Sequence, residues 1–114
     1  CSLCHRATGR AFKAVGGIRM SALEETSNQA SLMFLGNETD YDVRCAPCGS
    51  LLYSIVRDGE YVHVNYGALA DNPNLKPSAH IFAGSEAAWY DILDDRPQFE
   101  GYPACGSRWR QGFG

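Results

Sequence analysis

The sequence lacks the features of a membrane-spanning or exported protein. It contains no run of about 18 apolar residues, the length at which a segment becomes a candidate membrane helix. Its first residues do not follow the charged, apolar and small-residue order of a secretory signal. We therefore expect no membrane association and a reducing, cytoplasmic location.

The sequence also lacks an excess of basic charge. Ten Lys and Arg residues stand against thirteen Asp and Glu residues, giving a formal net charge of −3. This balance is a poor electrostatic match for a phosphate backbone. The basic residues near the N-terminus are offset by nearby acids: Arg6, Arg10, Lys13 and Arg19 against Glu24, Glu25, Asp40 and Asp42. Nucleic-acid binding is disfavoured.

Methionine is scarce and does not begin the chain. It occurs only at Met20 and Met33, while Cys1 is the first residue. We expect that the natural protein has a further segment before Cys1. The 114 residues present fit one domain, and the 45% apolar and 20% charged composition is typical of a globular protein.

Four of the five cysteines form two Cys-x-x-Cys pairs, Cys1 with Cys4 and Cys45 with Cys48. Two intervening residues let a tight turn direct both sulfurs at one ion, with Zn–S distances of about 2.3 Å. Gly49 follows the second pair and can adopt the positive φ that closes such a turn. The spacing predicts zinc binding, which in a small domain contributes on the order of 10 kcal/mol to folding.

Other interpretations of the cysteines remain. The alternative to metal binding is a disulfide pair or two buried free thiols, but the odd cysteine count and the absence of an export signal favour a reducing compartment. A thioredoxin-like role is disfavoured because neither pair lies in a βαβ unit. Iron in a four-sulfur site has the same geometry and stays open. Cys105 has no neighbour at ligand spacing and is interpreted as a bystander.

Strand signals dominate the rest of the chain. Residues 51–57 and 60–66 are rich in β-branched and aromatic residues and flank Asp58-Gly59, which predicts a hairpin with a type I′ turn. Further strands are predicted at 11–20, with a bend or bulge at Gly16-Gly17, and at 31–35, 41–44 and 79–83. The second cysteine pair then lies at a strand end.

Three local features complete the prediction. Residues 5–9 are interpreted as a short turn, and Ser85 as the cap of a helix that begins within 85–89. Phe82, Trp89 and Tyr90 are interpreted as core residues. Residues 104–114 are interpreted as a C-terminal tail.

An ordered set of motifs resembles a known family. Cys1-Ser2-Leu3-Cys4-His5-Arg6-Ala7-Thr8-Gly9 is similar to the pattern Cys-His-Cys-x-x-Cys-Arg-x-x-x-Gly without its first Cys-His, and Cys45-Ala46-Pro47-Cys48-Gly49-Ser50 to Phe-Cys-x-x-Cys-Gly-Ser. Further matches follow in order at residues 65–71, at 80–82, and at Ala88, Trp89, Asp94 and Pro97. Together they resemble the glutathione-dependent formaldehyde-activating enzyme family, over residues 1–103.

The resemblance implies a mainly β domain of the β-tent, Mss4-like zinc-binding fold with antiparallel sheets, a fold shared by centromere protein V. It implies two zinc sites. Cys45 and Cys48 would be half of a closed structural site, whereas Cys1 and Cys4 would be two of three ligands at an open, catalytic site. A single site made by all four cysteines remains the alternative. Arg44 departs from the family pattern, which often has an aromatic residue there.

The implied activity is that of a carbon–sulfur lyase, in which a glutathione or other small thiol combines with formaldehyde at the open zinc. His5 and Arg6 follow the ligand turn, where they would contact an anionic substrate or lie solvated. His63 is interpreted as a sheet-face residue, and His80 as a hydrogen-bonded structural histidine or a group facing the zinc cleft. The competing function is a non-catalytic zinc scaffold for a protein partner.

Overall fold

The fold is built on one antiparallel sheet. A computed structural model describes residues 2–26 and 29–102. Helix α1 (Ser2–Thr8) precedes five strands, which are β1 (Val15–Arg19), β2 (Leu32–Gly36), β3 (Tyr41–Cys45), β4 (Leu51–Val56) and β5 (Tyr61–Asn65). Their order across the sheet is β1-β5-β4-β3-β2, and every pairing is antiparallel. The predicted mainly β, antiparallel class is confirmed, and the architecture is consistent with a β-tent-like fold.

The predicted hairpin is confirmed as β4 and β5. Its last pair is Val56 with Tyr61. The loop spans residues 57–60, in which Arg57, Asp58 and Gly59 have φ of 54°, 58° and 83°, and the Glu60 amide donates to the Arg57 carbonyl at 3.2 Å. Positive φ at both central residues is the signature of a type I′ turn, whose twist matches that of the strands.

Side-chain alternation gives β3, β4 and β5 two different faces. Val43 and Val62 are fully buried and Ile55 is 2% exposed, and the register places all three on one face. Asp42, Ser54 and His63 lie on the other face, because Ser54 pairs with Asp42 on one side and with His63 on the other. The apolar core and a polar face are thus back to back on the same three strands.

A register shift interrupts the sheet at a different place from the one predicted. The shift lies between Val43 and Arg44, where Arg44 pairs with Leu51 and the pairing skips one residue of β4. At Gly16-Gly17, by contrast, β1 runs in continuous register along β5. The predicted glycine bulge is wrong, because the glycines take part in a regular ladder and the extra residue belongs to β4.

Two other local predictions are wrong. Residues 5–9 belong mainly to α1, a helix that ends at Thr8, and not to a turn alone. Residues 79–83 form only an isolated bridge between His80 and Gln98, because Phe82 adopts a left-handed conformation with φ of 55° that interrupts extended pairing.

The predicted helix at 85–89 is also absent. A single 3-10 turn, Ala83–Ser85, occupies its start, and the Ser85 hydroxyl donates back to the Phe82 carbonyl at 3.3 Å rather than to a following amide. Trp89 is 69% exposed and Tyr90 44% exposed, so these two side chains are not core. Phe82 is half-buried.

None of the described helices is long and apolar enough to cross a membrane. Cys1, Cys105 and the predicted tail 104–114 lie outside the described residues.

Truncation of the core should test this packing. Val62→Ala removes two methyl groups from a fully buried position, and we expect it to lower the free energy of unfolding by about 2 kcal/mol. Leu93→Ala is the control, because Leu93 is 91% exposed and should change stability by less than about 0.5 kcal/mol. Urea unfolding of both variants gives the comparison. Equal losses would contradict the assigned core.

Candidate functional site

A deep cleft lies over the polar face of the sheet. Its volume is about 1080 Å³, and its lining comes from residues 4–15, from the sheet and from the irregular segment 76–102. The chemistry-bearing lining residues include Cys4, Lys13, Asp42, Ser54, His63 and His80. A cavity of this size, with apolar walls and a few convergent polar groups, is typical of a small-molecule site.

The floor of the cleft carries a directed hydrogen-bond chain. The Ser54 hydroxyl donates to Asp42 Oδ1 at 2.6 Å, and Lys13 Nζ donates to the Ser54 oxygen at 3.4 Å. Ser54 is 4% exposed. Its one proton is committed to Asp42, so the hydroxyl presents a lone pair to the ammonium group.

His63 lies beside this chain and is held neutral. It is 9% exposed, and burial lowers its pKa to about 4, with the positive charges of Lys13 and Arg57 acting in the same direction. Its ring meets the Tyr102 ring edge to face at 6.2 Å, and the Arg57 guanidinium lies 4.9 Å from the same tyrosine ring. The floor thus combines a neutral imidazole with two nearby cations.

An ion-pair cluster stands in the wall opposite the floor. His80 Nε2 lies 2.9 Å from both carboxylate oxygens of Asp94, and Arg96 Nη1 lies 3.3 Å from Asp94 Oδ2. The hydrogen bond from His80, followed by the Arg96 amide, lowers the pKa of Asp94. All three residues line the cleft. The predicted hydrogen-bonded histidine is thus confirmed, and His80 also lines this cleft, whereas its position relative to a zinc ion stays a prediction.

The second cysteine pair forms a tight turn at the end of β3, as predicted. The Gly49 amide donates to the Cys45 carbonyl at 2.7 Å, and Gly49 has a φ of 77°. Cys48 Sγ lies 3.1 Å from the Ser50 hydroxyl. Hydrogen bonding from Ser50 lowers the pKa of the Cys48 thiol, with a smaller effect of the Cys45 thiol in the same direction.

Arg44 joins the two cysteine motifs. Its Nη1 donates to the Gly49 carbonyl at 2.8 Å, and its Nη2 donates to the Ala7 carbonyl at 2.6 Å. Ala7 is in the last turn of α1, where carbonyls lack helical partners, and Gly49 closes the Cys45–Cys48 turn. One planar guanidinium therefore fixes α1, and with it Cys4, relative to the second turn.

The described cysteines fit a metal site only in part. Among residues 2–26 and 29–102, no group of three or more Cys, His, Asp or Glu side chains is arranged to hold a metal ion. Cys45 and Cys48 on one turn, with a lowered thiol pKa at Cys48, fit half of a thiolate zinc site. Cys4 lines the cleft, and Cys1 lies outside the described residues. Metal ligation by these four cysteines stays a prediction.

His5 adds one unusual atom to this region. Its Nε2 is buried and has no hydrogen-bond partner, the only such side-chain atom found in the part of the chain that the structure describes. A buried ring nitrogen without a partner is unfavourable unless a ligand, an ion or water satisfies it. It lies next to Cys4 on α1, in the motif predicted to bind metal.

These features define a β-sheet domain with a polar cleft and a cysteine turn at its edge. The model of the glutathione-dependent formaldehyde-activating enzyme family matches residues 1–85, about three quarters of the chain. The chain therefore belongs to this family. A search of curated proteins finds no significant match.

Sequence reasoning missed the chain of Lys13, Ser54 and Asp42 and the partner Asp94. Polar residues at alternate positions of predicted strands, such as Asp42 and Arg44, were the available signal for a polar face. Asp94 was matched to the family's motif set, but its contact with His80 was not predicted, because that contact depends on an irregular segment.

The link through Arg44 generates a prediction. Arg44→Ala should lower the free energy of unfolding by about 2 kcal/mol, since two charge-assisted hydrogen bonds are lost. Arg44→Lys should lose nearly as much, because an ammonium cannot reproduce the planar fork that reaches both carbonyls. Arg6→Ala, on the exposed side of α1, is the control. Denaturation curves measure the effect, and a lysine variant as stable as the wild type would contradict it.

The low pKa of His63 predicts acid sensitivity. The unfolded imidazole binds a proton below about pH 6.5, whereas the folded one stays neutral to about pH 4. Stability contributed by neutral His63 is therefore complete above the unfolded pKa and is lost as pH falls towards the folded pKa. Between about pH 7 and 4.5 the wild type should lose on the order of 2 to 3 kcal/mol more than His63→Gln.

Urea unfolding of both proteins at the two pH values measures this difference. The glutamine variant controls for carboxylates that titrate in the same window. Parallel losses in the two proteins would show that His63 is not held neutral by the fold.

Proposed function

We propose that the protein is a zinc-dependent carbon–sulfur lyase that acts on a glutathione or other small thiol–aldehyde adduct. The observation that carries the proposal is the cleft, which brings Cys4 from the family's first motif over a polar sheet face. Family membership supports the reaction class. A volume of about 1080 Å³ is large enough for a tripeptide thiol.

The cysteines would divide between two metal sites. Cys45 and Cys48 would contribute to a closed structural site, and Cys1 and Cys4 to an open one. Zinc, when bound at an open site, stabilises a substrate thiolate and polarises a carbonyl. The Nε2 of His5 is buried and unpartnered, but His5 does not line the cleft that Cys4 lines, so it supplies no ligand to this site in the proposal.

The remaining chemistry would belong to the chain itself. When a thiol adds to an aldehyde, a carbon–sulfur bond forms, the carbonyl π bond breaks, and the thiol proton ends on the new hydroxyl oxygen. In the proposal, His80 moves this proton, because it lines the cleft and Asp94 orients its ring at 2.9 Å. Arg6 also lines the cleft and would attract an anionic substrate.

A second candidate function is a zinc scaffold for a protein partner. It is supported by large apolar side chains that the fold leaves exposed, namely Leu93 at 91%, Trp89 at 69% and Phe12 at 58%. Two of these lie in segment 88–93, away from the cysteine turn in sequence. Exposed aromatic residues of this kind are enriched at protein interfaces.

Substitution of cysteines separates the two functions. Cys4→Ser should abolish formation of S-hydroxymethylglutathione above the uncatalysed background while leaving the sheet folded, because Cys4 lies in α1 and outside the core. Cys48→Ser should instead lower thermal stability, since a closed site is linked to folding. Ser50→Ala is the matched control beside Cys48, as it removes only the hydroxyl contact.

The measurements are metal content, melting temperature and the rate of adduct formation from glutathione and formaldehyde. Zinc binding without any turnover in the wild type would favour the scaffold. Equal loss of stability in Cys4→Ser and Cys48→Ser would instead favour one site shared by all four cysteines.

A further inference from the structure

The cleft floor carries positive charge without a paired anion. Lys13 lines the cleft, is half-buried, and has as its hydrogen-bond partner the Ser54 hydroxyl at a long 3.4 Å. In the described part of the chain the ion pairs involve Asp94, and neither Lys13 nor Arg57 has a carboxylate within ion-pair distance. An ammonium group in a partly desolvated cleft is costly unless an anion accompanies it.

The neighbours of Lys13 do not supply that anion. Ser54 gives its proton to Asp42 Oδ1 and so faces Lys13 only as a neutral acceptor. His63, paired with Ser54 across the two strands, is neutral. The His63 ring also contacts the Tyr102 ring, and the Arg57 guanidinium lies against that tyrosine ring. The acidic groups near this floor are Asp42, which accepts the Ser54 proton, and Asp40, whose charge acts on Tyr102. Neither lies within ion-pair distance of Lys13 or Arg57.

We propose that Lys13 and His63 on the cleft floor, with Ser54 positioning Lys13, form a subsite that binds a carboxylate of the substrate and thereby selects thiols that carry one. Lys13 has ammonium protons to spare beyond the one given to Ser54, and the neutral imidazole donates one N–H. Arg57 adds long-range attraction from behind Tyr102. The reference to thiols rests on the proposed function, whereas carboxylate binding at this floor does not.

The proposal also gives a role to the hydrogen bond that Ser54 donates to Asp42. If the hydroxyl were free to rotate, its proton could turn towards Lys13 and oppose the ammonium. Ser54 Oγ lies 2.6 Å from Asp42 Oδ1 and donates its proton there. A lone pair of the Ser54 oxygen therefore stays directed at the Lys13 ammonium and holds it over the floor. Ser54 is thus a positioning residue, while Lys13 and His63 are the groups that touch the ligand.

The test uses S-methylglutathione, which has the carboxylates of glutathione but no thiol to react. Its dissociation constant is measured by calorimetry for the wild type, Lys13→Gln, Lys13→Arg and the control Lys76→Gln, which removes an exposed cleft lysine. Lys13→Gln should weaken binding about tenfold, and Lys13→Arg should keep it within about threefold. Lys76→Gln should change it by less than about twofold, because an exposed charge is screened.

A second arm locates the carboxylate. The diethyl ester of S-methylglutathione should bind the wild type weakly and lose nothing further in Lys13→Gln. Saturation with S-methylglutathione should raise the pKa of His63 by about one unit, because a bound carboxylate favours the charged imidazole. NMR of the His63 ring protons measures this pKa. A merely structural role of Lys13 would not move that value.

Three results would overturn the proposal: no binding to the wild type, equal affinity in Lys13→Gln, or an unchanged His63 pKa at saturation. Failure of the lyase assay alone would contradict the proposed function and leave the subsite in place, because S-methylglutathione binding needs no turnover.

Discussion

The alternation of side chains across β3, β4 and β5 is the constraint on which the rest of the molecule depends. Val43 and Val62 must be buried for the sheet to be stable, and their neighbours in register are then forced to the opposite face. That face carries Ser54 and His63, which a one-residue slip would move into the core. Burial of the core residues therefore fixes the register, and the register fixes the positions of Ser54 and His63. The same strand pairing thus determines both the stability of the sheet and the geometry of the cleft floor.

Arg44 extends this rigid sheet to the two cysteine motifs. It follows the register shift in β3, where the extra residue of β4 changes the local twist. Its guanidinium then reaches the carbonyls of Ala7 and Gly49, one from each motif region. This link depends on the guanidinium, because only a planar group with several donors reaches both carbonyls at once.

The sequence could predict the parts of the fold that local chemistry determines. Asp58-Gly59 requires positive φ and so defines the hairpin, and Gly49 does the same for the turn at the end of β3. The wall formed by residues 79–102 could not be predicted. Its form depends on backbone bonds between distant positions, such as the His80 amide to the Pro97 carbonyl at 2.8 Å, and on left-handed Phe82. The cysteine spacing predicted candidate metal ligands, but it could not predict which of these cysteines would bind the same ion.

The floor of the cleft and the wall opposite it differ in the number of backbone hydrogen bonds that hold them. Ser54 and His63 of the floor lie on β4 and β5, each of which pairs with a strand on both sides, whereas Lys13 lies just before β1. The opposite wall has a few backbone bonds, including the Phe99 amide to the His80 carbonyl at 2.8 Å and the Ala83 amide to the Phe99 carbonyl at 2.9 Å. Segments with few bonds open at lower free energy than core strands. We therefore expect the sheet that carries Ser54 and His63 to open at a higher free energy than the wall that carries His80 and Asp94.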